Sequence, residues 1–165
     1  MRKLILSLAL IIFVFCGASA QETNHSPKES PLEIVKKTYP SATKIVRINS
    51  VWNKTVDSKG KLLGYVFDSS EYGKDIRGFK GPVPTLIITD KNQKIRKVVA
   101  FNNNETPKYL SKVAAEGLFN KWNGKSIQKA KDEKVDGVTG ATFSSRAIIK
   151  NVQLISKKAK EKKIK

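Results

Sequence analysis

The chain has 165 residues, with 32 Lys and Arg against 14 Asp and Glu, for a formal net charge of +18. Its single Cys (Cys16), single Met (Met1) and single His (His25) all lie near the N-terminus. Past that point this excludes Cys-ligated iron–sulfur clusters, Met/His haem ligation, disulfides, Cys nucleophiles and His-based triads, and a metal centre loses the usual zinc ligands. Redox or catalytic work must then use carboxylates, hydroxyls, lysines or an organic cofactor. So basic a surface attracts anionic partners such as acidic proteins, phospholipid headgroups or nucleic acid.

Residues 1–20 have the pattern of a signal peptide. Arg2 and Lys3 supply the positive start, Leu4 to Cys16 is nearly all apolar, and Ala18-Ser19-Ala20 offers a small-residue cleavage site before Gln21. The apolar run falls short of the roughly 20 residues that span a bilayer. Cys16 invites a lipoprotein reading, but Val14 and Phe15 suit a lipobox poorly and the Ala-Ser-Ala site lies downstream. The expectation is an exported, soluble, periplasmic or otherwise extracytoplasmic protein. Residues 21–30 read as a polar, disordered leader, which leaves about 130 residues, enough for one domain with one core.

That domain is expected over 31–158. Pro31 to Tyr39 reads as a short helix stopped by Pro40. Strands are expected at Lys44 to Val51, Leu62 to Phe67, Thr85 to Thr89 and Ile95 to Phe101. Asp57 to Gly60 is a turn between the first two, and Asp90 to Gln93 closes the last two into a β-hairpin. A glycine-rich loop, Gly73 to Pro82, separates the pairs. After the loop Asn102 to Pro107, a second helix is expected from Pro107 to Asn120, with proline in a first-turn position. Trp52 and Trp122 read as packing residues. The last helix opens after Thr142, with Ile148, Ile149, Val152 and Ile155 at one-face spacing and Ser144 or Ser145 as N-cap. Lys157 to Lys165 holds six lysines and one acid, so 159–165 reads as a basic tail. The fold class is α+β: a twisted, mainly antiparallel sheet with helices packed on it.

The most telling stretch is Asp136-Gly137-Val138-Thr139-Gly140-Ala141-Thr142. It sets a threonine hydroxyl after two residues with almost no side chain, just before a helix. A threonine hydroxyl is a weak nucleophile without an adjacent base, and no histidine is present to serve. Thr142 therefore reads as a substrate for modification. Free amides and the positive helix end would favour an anion there. Taken alone, Gly-Ala-Thr before a helix is often only a tight turn, Glu105 reads as a solvated loop carboxylate, and Phe79 and Tyr109 read as packing residues.

The stretch resembles the attachment motif of covalent FMN-binding domains. The likeness covers about 64–152: Gly64 to Phe67 resembles the family's opening strand, Gly78-Phe79-Lys80-Gly81-Pro82 its glycine-rich segment, and Glu105-Thr106-Pro107 the motif after its hairpin. The resemblance implies FMN joined to Thr142 through a phosphoester by a separate Mg-dependent flavin transferase, which takes FMN from FAD and releases AMP. It implies recognition of Asp136, Thr139, Gly140 and Ala141 by that transferase. Glu105, Thr106, Gly78, Phe79 and Gly81 would border the flavin. Relatives include flavinylated subunits of sodium-pumping NADH:quinone oxidoreductase, so the implied role is electron carrier rather than enzyme, serving exported or membrane-bound redox partners. Lys108-Tyr109-Leu110 and Lys80 replace smaller residues common in the family, and a lysine beside the flavin would raise its potential. Two other classes compete. A basic module for anionic lipid or polymer would use the lysine tail; few aromatics among the basic residues, together with export, argue against nucleic acid. A small flavin reductase lacks a Gly-x-Gly-x-x-Gly fingerprint.

Overall fold

The computed structural model describes residues 29–164. The signal segment, Cys16, His25 and nearly all of the leader lie outside the described residues. Five strands form one sheet in the order β1-β2-β3-β4-β5, each antiparallel to the next. They are β1 (Lys44–Arg47), β2 (Asn53–Val56), β3 (Leu62–Asp68), β4 (Thr85–Asp90) and β5 (Ile95–Ala100). Three α-helices complete the α+β domain: α1 (Pro31–Lys36), α2 (Pro107–Ala115) and α3 (Thr142–Glu161).

Both faces of the sheet are covered, which explains the near-continuous apolar run of β4. Leu86 and Ile88 pack with Val66 against Ile34 and Val35 of α1. Ile87 points the other way, into a larger core with Phe67, Val98, Val113 of α2 and Ile148, Val152 and Ile155 of α3. Alternation within a strand that is buried on both sides yields this split. Trp52 and Trp122 are fully buried in the larger core. The indole of Trp52 meets Phe67 edge-on at 4.7 Å and donates to the Ala159 carbonyl at 3.3 Å.

Several elements depart from expectation for local reasons. The first strand stops at Arg47, and β2 is a separate strand. The Asn49 side-chain oxygen accepts the amides of Val51 and Trp52, both at 2.9 Å. That Asx turn reverses the chain, so β2 pairs back on β1 from Lys44↔Val56 to Arg47↔Asn53. Helix α1 ends at Lys36 rather than Tyr39, since a residue before proline avoids helical geometry. At its other end, Ser30 and Glu33 form a reciprocal capping box. Helix α2 ends at Ala115 instead of continuing to Asn120, because Gly117 adopts a left-handed conformation (φ 70°) and a short 3₁₀ turn, Leu118–Asn120, follows. The basic stretch also does more than trail in solvent. Helix α3 runs to Glu161, Ala159 is buried, and Asn49 donates to the Lys162 carbonyl at 3.3 Å.

Candidate functional site: an aromatic cleft at the start of α3

Thr142 is the first residue of α3. The expected serine cap is not used. Ala141 is the N-cap residue, makes no side-chain cap bond, and leaves Ser144 and Ser145 inside the first turns of the helix. Both serines are buried and otherwise employed. The Ser145 hydroxyl accepts the Val138 amide at 2.9 Å and donates to the Thr142 carbonyl at 3.1 Å, folding the motif back on the helix start. The Thr142 hydroxyl donates to the Val138 carbonyl at 3.4 Å. Gly140 supplies the left-handed residue this turn needs (φ 76°).

Beside this turn lies a cleft of about 260 Å³ lined by Phe79, Tyr109, Gly140, Ala141, Thr142, Phe143 and Ser144. Its rings are unusually open to solvent: Phe79 is 56% exposed and Phe143 66%. Phe79 and Tyr109 meet edge-to-face at 5.3 Å. Large exposed apolar rings around a concavity point to a ligand face rather than to core packing.

Glu105 holds the cleft together. Its side chain is buried, with 6% exposure, and is no solvated loop carboxylate. It accepts the Phe79 amide at 3.1 Å and the Lys80 amide at 2.6 Å, and it takes the Ser144 hydroxyl bond as well. One carboxylate therefore ties the glycine loop to the first turn of α3 and fixes Phe79 opposite Thr142. Burial pushes the Glu105 carboxyl up, but the bonds from Ser144 and from the Lys80, Phe79 and Gly81 amides outweigh it and hold the group below its ordinary value. The loop fits closely around it. A Cβ at Gly78 would lie 2.8 Å from the Glu105 carboxyl carbon and 2.7 Å from Val83. The Gly78 amide donates to the Gly81 carbonyl at 2.7 Å to close the loop.

The residues expected at the site thus divide into groups. Phe79, Gly140, Ala141 and Thr142 line the cleft. Gly78, Gly81 and Glu105 are not among the lining residues and instead fix the loop that carries Phe79. Asp136 and Thr139 are exposed and line a second, polar recess with Lys112, Glu116 and Lys121. Thr106 is the N-cap residue of α2 and makes no side-chain cap bond. Sequence reasoning passed over Phe143, Ser144 as partner of Glu105, and Lys112, and it read Tyr109 as a packing residue although it lines the cleft. The signal for Ser144 was a hydroxyl one turn along from a motif glycine. For Phe143 it was an apolar residue off the buried stripe of α3.

The chemistry of this set suits a planar aromatic ligand. Three aromatic side chains line the cleft with Thr142, and the left-handed Gly140 leaves the backbone there open to close approach. No curated relative matches the chain at a significant level. Residues 78–156 match the family model of the FMN-binding domain. The match begins at Gly78, so β3, likened above to the family's opening strand, lies outside it. It spans the second half of the glycine loop from Gly78, the hairpin of β4 and β5, the Glu105 clamp and the Thr142 turn. Residues 78–156 belong to the FMN-binding domain family.

Proposed function

We propose that this protein is an exported flavoprotein that carries FMN covalently on Thr142 and serves as an electron-transfer module. The observation that supports the reading is that Thr142 lines an aromatic cleft, together with Phe79, Tyr109 and Phe143. A flavin transferase would install the group: the Thr142 hydroxyl gives up its proton, its oxygen bonds to the FMN phosphorus, and the FAD pyrophosphate bond breaks to release AMP. When bound, the flavin supplies the redox chemistry. Phe79, Tyr109 and Phe143 offer it apolar walls, and Glu105 keeps Phe79 in place. Tethering suits an exported carrier, because the effective concentration stays high however weak the cleft's own affinity. Its redox partners would be exported or membrane-bound.

Intact mass tests this directly. Co-expression with an active flavin transferase should add one FMN less one water to the chain, and Thr142→Ala should abolish the adduct. An unmodified wild-type chain under those conditions would overturn the proposal. A second reading, a basic module for anionic lipid or polymer, is favoured by the +18 charge and by exposed Lys157, Lys160, Lys162 and Lys163 around the end of α3. It predicts colourless protein with steeply salt-dependent binding to anionic vesicles, whereas the first predicts yellow protein.

A further inference from the structure

Lys112 projects from α2 onto the attachment turn. A Cβ built at Gly140 would lie 3.3 Å from the Lys112 Nζ and 3.6 Å from its Cε. The ammonium therefore rests against bare backbone, in space that any other residue at 140 would crowd. Lys112 also lines the polar recess with Asp136 and Thr139, while Gly140 lines the cleft with Thr142. The ammonium stands at the divide between the two. Although Asp136 and Glu116 share the recess, Lys112 forms no ion pair among the described residues. Of the other long cations near the motif, Lys121 lines the recess and Arg146 lies along Gly137, with its Nε 3.9 Å from a Cβ built there; neither supplies one of the nearest atoms to a Cβ at Gly140.

We propose that Lys112 is the cation that pairs with the phosphodiester formed on Thr142. This rests on the reading of Thr142 as the attachment residue. A phosphodiester keeps one negative charge at neutral pH and is poorly accommodated by the apolar walls of the cleft. It must stay on the turn side of Thr142, where Gly140, two residues before the threonine, has no side chain to obstruct it and the Lys112 ammonium lies against that bare backbone. Lysine acts here as a mobile point charge on a flexible stem, able to swing from the recess onto the anion once the linkage forms. Lys112 is thus a positioning residue. It fixes the tethered end of the cofactor and leaves the ring system to Phe79, Tyr109 and Phe143.

The test uses the full chain, flavinylated by an active transferase, as wild type, Lys112→Gln, Lys112→Arg and Lys54→Gln; the last makes the same charge change on β2. Two readouts are needed: the ³¹P resonance of the phosphodiester, and the rise in Tm on flavinylation at low and high salt. The ³¹P resonance should shift in Lys112→Gln, return toward wild type in Lys112→Arg and stay put in Lys54→Gln. The Tm rise should shrink by about 1–3 °C in Lys112→Gln at low salt and match wild type at high salt, as for an exposed pair. An unchanged ³¹P resonance in a fully flavinylated Lys112→Gln chain overturns the pairing alone, as does an equal change in Lys54→Gln. Failure of the wild-type chain to gain the FMN mass instead overturns the attachment reading.

Discussion

Replacing Glu105 with alanine removes the acceptor for two backbone amides, those of Phe79 and Lys80, and for the Ser144 hydroxyl. Hydrogen bonds to a charged group contribute about 1.5–3 kcal/mol each when buried. The three are not equal here. Phe79 and Lys80 are exposed residues, so water can reach their amides once the loop relaxes and the loss falls to the low end. Ser144 is 1% exposed, and its hydroxyl is left facing apolar neighbours at about 1–3 kcal/mol. The removed side chain also leaves a void under Gly78. We therefore expect Glu105→Ala to cost about 3–5 kcal/mol, and Glu105→Gln, which keeps the shape and one acceptor, about 1–2 kcal/mol. At about 3–5 °C per kcal/mol for a domain of this size, the glutamine variant should melt roughly 3–10 °C below wild type at neutral pH.

The pH dependence separates a charge-assisted clamp from mere packing. The folded Glu105 carboxyl is held below the 4.5 of an ordinary glutamate. A depressed carboxyl stabilises the fold above the unfolded value, and that contribution is lost as pH falls through the folded value. Thermal melts followed by circular dichroism should show the gap between wild type and Glu105→Gln at full size above pH 4.5 and shrinking below it. A gap of the same size at pH 7 and at pH 3, or a glutamine variant as stable as wild type at neutral pH, would refute the clamp. Loosening the loop should also slow flavinylation of Thr142 in the variant, because Phe79 would no longer be fixed across the cleft.

Two further outcomes follow from the same loop. Gly78→Ala would set a methyl group 2.7 Å from Val83 and 2.9 Å from the Glu105 carboxylate, so we expect a loss of about 1–3 kcal/mol by chemical denaturation, with wild-type stability counting against the tight fit. Lys80 is exposed beside Phe79, and a cation there favours a reduced, anionic flavin; Lys80→Ala should lower the midpoint potential of the flavinylated protein by on the order of 10 mV, and spectroelectrochemistry showing no change would remove Lys80 from the flavin's surroundings.

What could be read from the sequence follows the kind of interaction involved. Strands β3, β4 and β5 were legible because their apolar runs are bounded by turns, with an Asx turn at Asp90 that bonds the amides of Asn92 and Lys94. Strand β2 was not, because Asn53-Lys54-Thr55-Val56 is four residues long and carries little apolar pattern; its existence depends on the Asn49 turn and on pairing with β3. The Thr142 turn was legible because glycine, alanine and threonine before an amphipathic helix constrain backbone shape directly. Taken alone, without the family resemblance, Glu105 reads as a solvated group because its partners are two backbone amides and a serine 39 positions away, none of which marks a sequence as a carboxylate site. Lys112 was hidden for a related reason: one lysine of a lysine-rich chain gains meaning only when Gly140, left-handed and bare, comes to lie beside it. The two cases have one origin. The attachment threonine is specified locally, whereas the cleft that receives the ring is assembled from the glycine loop, the Glu105 loop and the first turn of α3, which lie far apart in the chain. A substitution at Glu105 or Gly78 should therefore disturb the cleft while leaving the local turn at Thr142 formed.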